Sequence, residues 1–327
     1  MRARRGRDAG RDEGGGVLES SIDLQLLHRA ASAYYSDGLR QAEVAQRLGI
    51  SRPTVSKLLA EARRIGMVRI EVLDVPSEDL TELAREVREL LGVEKVLIAP
   101  GDQRSRDYRG LGDLLGEELR RLALRRGEVL LISSGTTTHA VSRVPGLPEL
   151  PGVIVAPTVG GQQEPDPTFQ TNEIVRTFSD RTGAQPQFIF APALPSPSLW
   201  SSLQADPSFR SITELWGRAR VLVTGIGSPY DERAALTSVV PREDPSLRGA
   251  SGDVCLYFYD EAGETIEFPG SDRLIRPSLE QLRAIPSSIA LAADPAKAVS
   301  IRAGARTGLF TTLVTDAPTA EAILAAG

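Results

Sequence analysis

A run of hydroxyl and glycine residues offers the clearest candidate site for binding an anion. The run follows the apolar segment 129–133 and reads Ser-Gly-Thr-Thr-Thr. Suppose that the segment is a strand and that a helix begins at the threonines. The loop N–H groups, the hydroxyls and the positive end of the helix then all point at one place, where an anion could bind. No Gly-Lys-Ser/Thr follows, so this is not a nucleotide-binding P-loop. We predict a phosphate site, with a capped strand-to-helix turn as the alternative. Its residues are Ser134, Gly135, Thr136, Thr137 and Thr138.

Two more apolar segments are followed by closely spaced glycines. Gly160 and Gly161 come after segment 153–158, and Gly225 and Gly227 lie at the end of segment 221–226. Each pair is a weak signal alone, and the second lacks the third glycine of a dinucleotide-binding fingerprint. Parallel strands bring their carboxyl ends to one edge of a sheet, where ligands bind. Together with the threonine loop, the glycines predict a pocket the size of a sugar phosphate.

Charged residues near the same predicted edge could complete this pocket. Lys297 begins a predicted helix after segment 289–292 and could hold a phosphate or a hydroxyl. Asp253 and Asp272 could accept hydrogen bonds from sugar hydroxyls. The alternatives are a surface lysine and two turn aspartates.

The titratable residues do not suggest catalysis or metal binding. His28, His139 and Cys255 are far apart in sequence and form no metal-ligand spacing. Cys255 is interpreted as a small buried apolar residue in a strand. No Gly-x-Ser-x-Gly motif precedes a histidine. We therefore predict no catalytic residue, metal or cofactor.

A second polar group lies on two short predicted helices near the N-terminus. Gly49 ends the first helix, and Ser51 caps the second, which has Pro53 in its first turn. Apolar residues such as Val44 and Val55 face inward, which leaves polar side chains on the outer face. This pattern predicts a helix-turn-helix that reads a DNA major groove, with an ordinary helical hairpin as the alternative. The candidate DNA contacts are Gln41, Ser51, Arg52, Pro53, Thr54, Ser56 and Lys57.

The length of 327 residues suits one small and one large domain. Residues 1–16 are rich in arginine and glycine and are predicted to be a disordered leader. A DNA-binding domain is predicted over 17–75, with a supporting helix at 23–35 and a wing strand at 67–72. The predicted helix over 78–91 is either a linker or dimerisation helix, or the first helix of the next domain.

The remaining residues, 76–327, have the pattern of an α/β domain. Short apolar runs separated by helix-length segments are typical of a parallel sheet covered on both faces. The predicted strands are 95–99, 129–133, 153–158, 188–191, 221–226, 289–292 and 311–314. Segments 254–259 and 265–268 are predicted to form a β-hairpin.

Charge is distributed unevenly along the chain. Residues 1–16 carry a net +2, residues 17–75 a net +1 and the rest a net −8, within a total of −5. Because an acidic domain is repelled by phosphates, any DNA contact should come from the N-terminal part. No apolar run is long enough to span a membrane, and a single cysteine fits a cytoplasmic protein.

Taken together, these motifs resemble those of the SorC family of bacterial transcriptional regulators. The resemblance also includes Gln170-Thr-Asn172, Thr224-Gly-Ile-Gly227, Gly252-Asp-Val-Cys255 and Ser278-Leu-Glu-Gln-Leu282. It implies an α/β fold class, with a winged helix-turn-helix followed by a larger Rossmann-like, sugar-isomerase-like domain. The family's DNA affinity is set by a phosphorylated sugar, and its members are usually tetramers.

The resemblance also implies roles for individual residues. Gly135 and the three threonines after it would hold one phosphate, while Gln170, Asp253 and Lys297 would contact the sugar or phosphate. Family members that bind a bisphosphate have an arginine where this chain has Val159, which favours a monophosphate. We expect a regulator of carbohydrate metabolism that binds an operator as a homodimer or homotetramer. The alternative is a sugar-phosphate isomerase that pairs Asp253 with Lys297 and carries an appended DNA-binding domain.

Overall fold

The computed structural model describes residues 23–68, 78–104, 107–162, 166–232, 239–241 and 244–326. The chain divides into two compact units, Met1–Asp74 and Val75–Gly327. The predicted leader and residues 69–72 of the predicted wing strand lie outside the described residues, so neither prediction is tested. Within the described residues, no helix is long and apolar enough to cross a membrane.

The described residues of the first unit, 23–68, form three α-helices. They are α1 (Leu24–Ala31), extended by a π-helical turn over Ser32–Ser36, α2 (Gln41–Leu48) and α3 (Arg52–Arg64). Gly49 ends α2 in the left-handed conformation at φ 67°, which glycine adopts without steric cost. The Ser51 hydroxyl accepts the N–H of Thr54 at 3.3 Å and caps α3. Both helices of the predicted motif and their tight turn are therefore present.

The second unit is built on a seven-stranded parallel sheet in the order β1-β10-β9-β5-β2-β3-β4. Its strands are β1 (Lys95–Ala99), β2 (Val129–Ile132), β3 (Ile154–Pro157), β4 (Gln185–Pro186), β5 (Ala219–Gly225), β9 (Ser287–Leu291) and β10 (Thr312–Asp316). Three short antiparallel strands form a second sheet: β6 (Gly252–Val254), β7 (Tyr257–Tyr259) and β8 (Thr265–Ile266).

Helices cover the parallel sheet on both faces. They are α4 (Glu78–Leu91), α5 (Arg109–Leu122), α6 (Thr136–Val141), α7 (Thr171–Thr182), α8 (Pro197–Ala205), α9 (Pro207–Thr213), α10 (Leu279–Arg283), α11 (Ala298–Arg306) and α12 (Ala317–Ala325). Every residue of β2 is buried, and its alternate side chains belong to two different apolar cores. This confirms the predicted α/β class, because continuous apolar strands need cover on both sides.

Helix α4 belongs to the second unit. Val87 is fully buried in one of the two cores, and the helix packs against β1 and α12. Of the two alternatives that the sequence left open, the structure supports the first helix of the α/β domain.

One predicted strand, 188–191, is absent, and the edge strand β4 ends at Pro186 instead. The Asn172 side chain explains the difference. Its amide oxygen accepts the N–H of Ile189 at 3.2 Å, and its amide nitrogen donates to the Ile189 carbonyl at 3.0 Å. The Asn172 side chain therefore bonds to the N–H and C=O of Ile189, which would otherwise pair with a neighbouring strand.

The predicted strand 254–259 is also wrong as a single element. The chain turns at Cys255 and Leu256, whose φ angles are 51° and 64°, so β6 and β7 form a tight hairpin. The Asp253 carboxylate accepts the N–H of Leu256 at 3.0 Å across this turn. Cys255 is buried as predicted but lies in the turn rather than in a strand.

A buried acid on α5 gives a prediction about stability. Glu118 is only 2% exposed and accepts hydrogen bonds from Arg121 at 2.5 Å and from the Lys95 amine at 2.5 Å. Arg121, and then Lys95, hold the pKa of Glu118 below its ordinary value. Because the folded-state pKa is depressed, this stabilisation is present above about pH 4.3 and is lost as pH falls through the folded-state pKa.

We therefore expect Glu118→Gln to lower the free energy of unfolding at pH 7 by about 1–3 kcal/mol, and by much less at pH 3. Urea denaturation at both pH values measures the difference. Glu117→Gln is the matched control, since Glu117 is the preceding residue on the same helix and its side chain is exposed. An equal loss for Glu118→Gln at both pH values would contradict the ion-pair explanation.

Candidate functional site

The strand order creates a crevice between β2 and β5. From β2 the chain proceeds through β3 to β4 on one side, whereas β5, the next strand of this sheet, lies on the other side of β2. Open α/β sheets bind ligands at the carboxyl ends of the strands where the order reverses in this way. The predicted threonine loop follows β2, and Gly225 and Gly227 lie at or after the end of β5.

The threonine loop leads directly into the short helix α6. Gly135 lies at φ 135° and ψ 157°, and its N–H donates to the Thr168 carbonyl at 2.8 Å. Its carbonyl accepts the Thr138 hydroxyl at 2.9 Å. No described backbone carbonyl accepts the N–H groups of Thr136, Thr137 or Thr138. The groups available to an anion are thus these three N–H groups and the exposed Thr136 hydroxyl, a narrower set than the sequence suggested.

Two polar residues that the sequence analysis missed organise this loop. The Ser133 hydroxyl accepts the N–H of Gly225 at 3.2 Å and so joins the ends of β2 and β5. The Gln162 side chain donates to the Ser134 hydroxyl at 3.4 Å, and the main-chain carbonyl of Gln162 accepts the Gln170 side-chain amide at 3.0 Å. Gln170 is thereby connected to the loop. The position of Ser133 at the end of an apolar run could have indicated a role at this edge. No sequence pattern indicated such a role for Gln162.

The glycines at this edge differ in what surrounds them. A Cβ atom on Gly160 would lie 2.9 Å from the Ala191 carbonyl oxygen and 2.9 Å from the Ala193 Cα atom. Gly161 exchanges backbone hydrogen bonds of 2.7 Å with Ala191 and Ala193. A Cβ atom on Gly225 would meet no atom within 4 Å. The chain itself therefore approaches Gly160 closely, while Gly225 borders open space.

Lys297 and Asp253 both contact the segment after β5. The Lys297 amine donates to the Ile226 carbonyl at 2.7 Å, and Gly227 donates its N–H to the Asp253 carbonyl at 2.9 Å. Lys297 lies at the end of a 3-10 turn before α11 and is partly buried, which does not fit a fully exposed surface lysine. Asp272 is exposed in another 3-10 turn. The structure thus brings Lys297, Gly227 and Asp253 together.

Tyr108 is a further residue at this edge that the sequence did not indicate. Its backbone, like that of Asp107, is left-handed, with φ 57°. Strained positions of this kind cluster at functional sites. The phenol interacts with Thr137, and burial raises the pKa of Tyr108. Nearby, Arg104 pairs with Asp294 at 3.1 Å and so links the loops after β1 and β9.

The remaining titratable residues that the sequence analysis considered do not form a reactive cluster in the described residues. Burial raises the pKa of Cys255 to about 11, so its thiol is protonated near neutral pH. Burial and Arg143 lower the pKa of His139, which lies on α6. His28 is exposed on α1. Within the described ranges, no three His, Cys, Asp or Glu side chains are grouped as metal ligands would be.

In the first unit, α3 exposes the polar residues at its N-terminal end. Arg52, Ser56 and Lys57 are exposed, while Val55 between them is buried. The Thr54 hydroxyl lies 2.7 Å from that of Ser51, so these two residues form the helix cap. Pro53 is also exposed in the first turn, and Gln41 is half-buried at the start of α2.

Comparisons with known proteins cover nearly the whole chain. Residues 75–325 match the family described as "Putative sugar-binding domain". The chain is 29% identical over 310 residues to the deoxyribonucleoside regulator of Bacillus subtilis, across 92% of this chain and 97% of that protein. It is 27% identical to the sorbitol operon regulator of Klebsiella pneumoniae, across 94% and 100%.

The chain belongs to the SorC family. The crystal structure of the full-length sorbitol operon regulator from Klebsiella pneumoniae superimposes with a TM-score of 0.76 and 25% identity. The superposition covers 93% of this chain and 99% of that chain. The SorC relatives are transcriptional regulators, and the matched domain is a sugar-binding domain.

Proposed function

We propose that this SorC-family protein is a DNA-binding regulator of carbohydrate metabolism whose operator affinity is controlled by a small phosphorylated sugar. The observation that carries the proposal is the convergence, where β2 meets β5, of the threonine loop, Gly225 and Lys297. N–H donors, a cation and open space are thus found along the sheet edge where β2 and β5 end.

The donors favour one phosphate and several hydroxyls. The N–H groups of Thr136, Thr137 and Thr138 and the amine of Lys297 suit a phosphate, because charge-assisted hydrogen bonds are the strong ones. Asp253 and Gln170 would accept or donate to sugar hydroxyls. Val159 is 2% exposed and apolar, so it offers nothing to a second phosphate. We infer a monophosphate effector.

The first unit supplies the DNA contacts in this proposal. Arg52, Ser56 and Lys57 project from the N-terminal part of α3, which is the part of a recognition helix that contacts bases and phosphates. Because a palindromic operator needs two such helices, the regulator acts as a homodimer or homotetramer in the cytoplasm. Effector binding would change DNA affinity through a coupling of about 1–3 kcal/mol.

The isomerase alternative requires an acid and a base at the sugar. Its candidates, Asp253 and Lys297, each bond to the backbone, at Leu256 and Ile226. Neither contact favours proton transfer, so we assign no catalytic residue.

Thermal melting of the full-length protein against sugars, sugar phosphates and inorganic phosphate tests the effector proposal. At a hundred times its dissociation constant, a bound ligand adds about 2.7 kcal/mol of stability. We expect one sugar monophosphate to raise the midpoint, and the corresponding free sugar to have no effect at the same concentration. If all sugar phosphates leave the midpoint unchanged, the effector is of another class.

A further inference from the structure

A groove separate from the sheet edge lies between α8, α9 and α10. Its cavity volume is about 370 Å³, within the range of small-molecule sites. Trp200, Phe209 and Trp216 supply aromatic lining. None of the residues predicted to bind the effector lines this groove.

A partly exposed cation, Arg276, forms part of the groove wall. The Arg276 guanidinium lies 3.4 Å from the centre of the Tyr257 ring and donates to the Leu256 carbonyl at 2.5 Å. A longer contact of 3.5 Å reaches the Ser271 carbonyl. Among the described residues, no carboxylate lies within 4.0 Å of this guanidinium. Burial lowers the pKa of Arg276, whereas Tyr257 and the carboxylates of Glu267 and Asp253 act in the opposite direction.

Buried charges in proteins are normally paired, because the desolvation of a lone charge is costly. A guanidinium presents a planar fork that matches a carboxylate through two parallel hydrogen bonds. Arg276 has further N–H groups beyond those that reach Leu256 and Ser271. An anion entering the groove would therefore meet a guanidinium that no described carboxylate contacts within 4.0 Å.

The other charges of the groove indicate which anion fits. Arg210 and Glu214 also line the groove and are exposed, and their charges cancel. Among the residues that line the groove, the charge of Arg276 is then left unbalanced, which suits a monoanion better than a doubly charged phosphate. The aromatic side chains favour a flat apolar group on the same ligand.

We propose that this groove is an accessory site for a small monocarboxylate that carries an apolar ring. It is independent of the sugar-phosphate proposal. The same guanidinium holds the carbonyl of Leu256, whose N–H is bonded to Asp253. The accessory site and the sheet edge are thus connected by a single turn.

The two tryptophans of the chain allow a direct test, because both line the groove. We expect benzoate to cause a saturable change in tryptophan emission of the full-length protein, with a dissociation constant of about 1 mM or lower. Benzyl alcohol, which has the ring without the charge, should bind at least about tenfold more weakly. A titration with no saturable change, or equal binding of benzyl alcohol, would overturn the proposal.

Variants locate the binding. Arg276→Gln should weaken benzoate binding at least about tenfold, whereas Arg181→Gln, an exposed arginine on α7, should leave it unchanged. Because Arg276→Gln can also disturb folding, Glu214→Gln provides a second measurement. Removing this exposed acid should tighten benzoate binding about two- to threefold, since surface charge pairs contribute little. Unchanged binding in both folded variants would refute the assignment.

Discussion

Replacing Arg52 and Lys57 together by alanine should lower operator affinity by about 100-fold at fixed salt, since each such DNA contact contributes about 1–3 kcal/mol. Both side chains are exposed on α3, whereas Val55, which lies between them in sequence, is buried in the helical core. The salt dependence should also weaken, because fewer counterions are released on binding. Fluorescence anisotropy on a footprinted operator, over a range of salt concentrations, gives both quantities.

Arg29→Ala is the control for this pair, since Arg29 is equally exposed but lies on α1. This substitution should reduce operator affinity only slightly, because it removes one positive charge from the protein. If the double variant binds the operator as tightly as the unmodified protein, α3 is not the recognition helix. A similar loss for Arg29→Ala would indicate a nonspecific charge effect.

A second large effect is expected from Thr136→Val combined with Lys297→Met. Valine keeps the shape of threonine but removes the exposed hydroxyl, and methionine removes the amine that reaches the end of β5. We expect effector affinity to fall about 100-fold or more, because charged hydrogen bonds are each worth about 1.5–3 kcal/mol. Operator binding without effector should be unchanged. Calorimetry with the sugar phosphate and anisotropy with the operator measure the two effects.

Thr138→Val provides the contrast. The Thr138 hydroxyl is buried and donates to the Gly135 carbonyl, so its loss should lower the melting temperature even without ligand. Equal loss of effector and operator binding in the Thr136→Val and Lys297→Met protein would mean that the loop has a structural role only.

The parts of the fold that were predicted correctly depend on local patterns. Six of the seven strands predicted for the parallel sheet overlap observed strands, and the two helices of the N-terminal motif carry their own caps at Gly49 and Ser51. The errors arose from side chains that bond to the backbone, one from a neighbouring element and one within a local turn. Asn172 satisfies the backbone of Ile189, and Asp253 with Leu256 turns the chain where a strand was expected. Neither contact has a signal in the local hydrophobic pattern.

The candidate site shows the same limit. The sequence could identify glycines after strands, but not that Gly160 is packed against Ala191 while Gly225 borders open space. It could not indicate that the Thr168 carbonyl accepts the hydrogen bond of the Gly135 N–H. Sequence patterns find which segments reach an edge, whereas the hydrogen bonds within that edge depend on the packing of several loops.

The pairing of β1 with β10 has a consequence for biosynthesis. Among the strands of the described residues, β1 pairs only with β10, which also separates β1 from β9. Chains emerge from the ribosome N-terminus first, and contacts between distant residues form slowly. The helices over residues 23–68 can therefore fold while synthesis continues, but β1 has no neighbour until residues 312–316 have been added. A messenger with a stop codon just before Thr312 would yield chains that carry the N-terminal helices and an incomplete sheet.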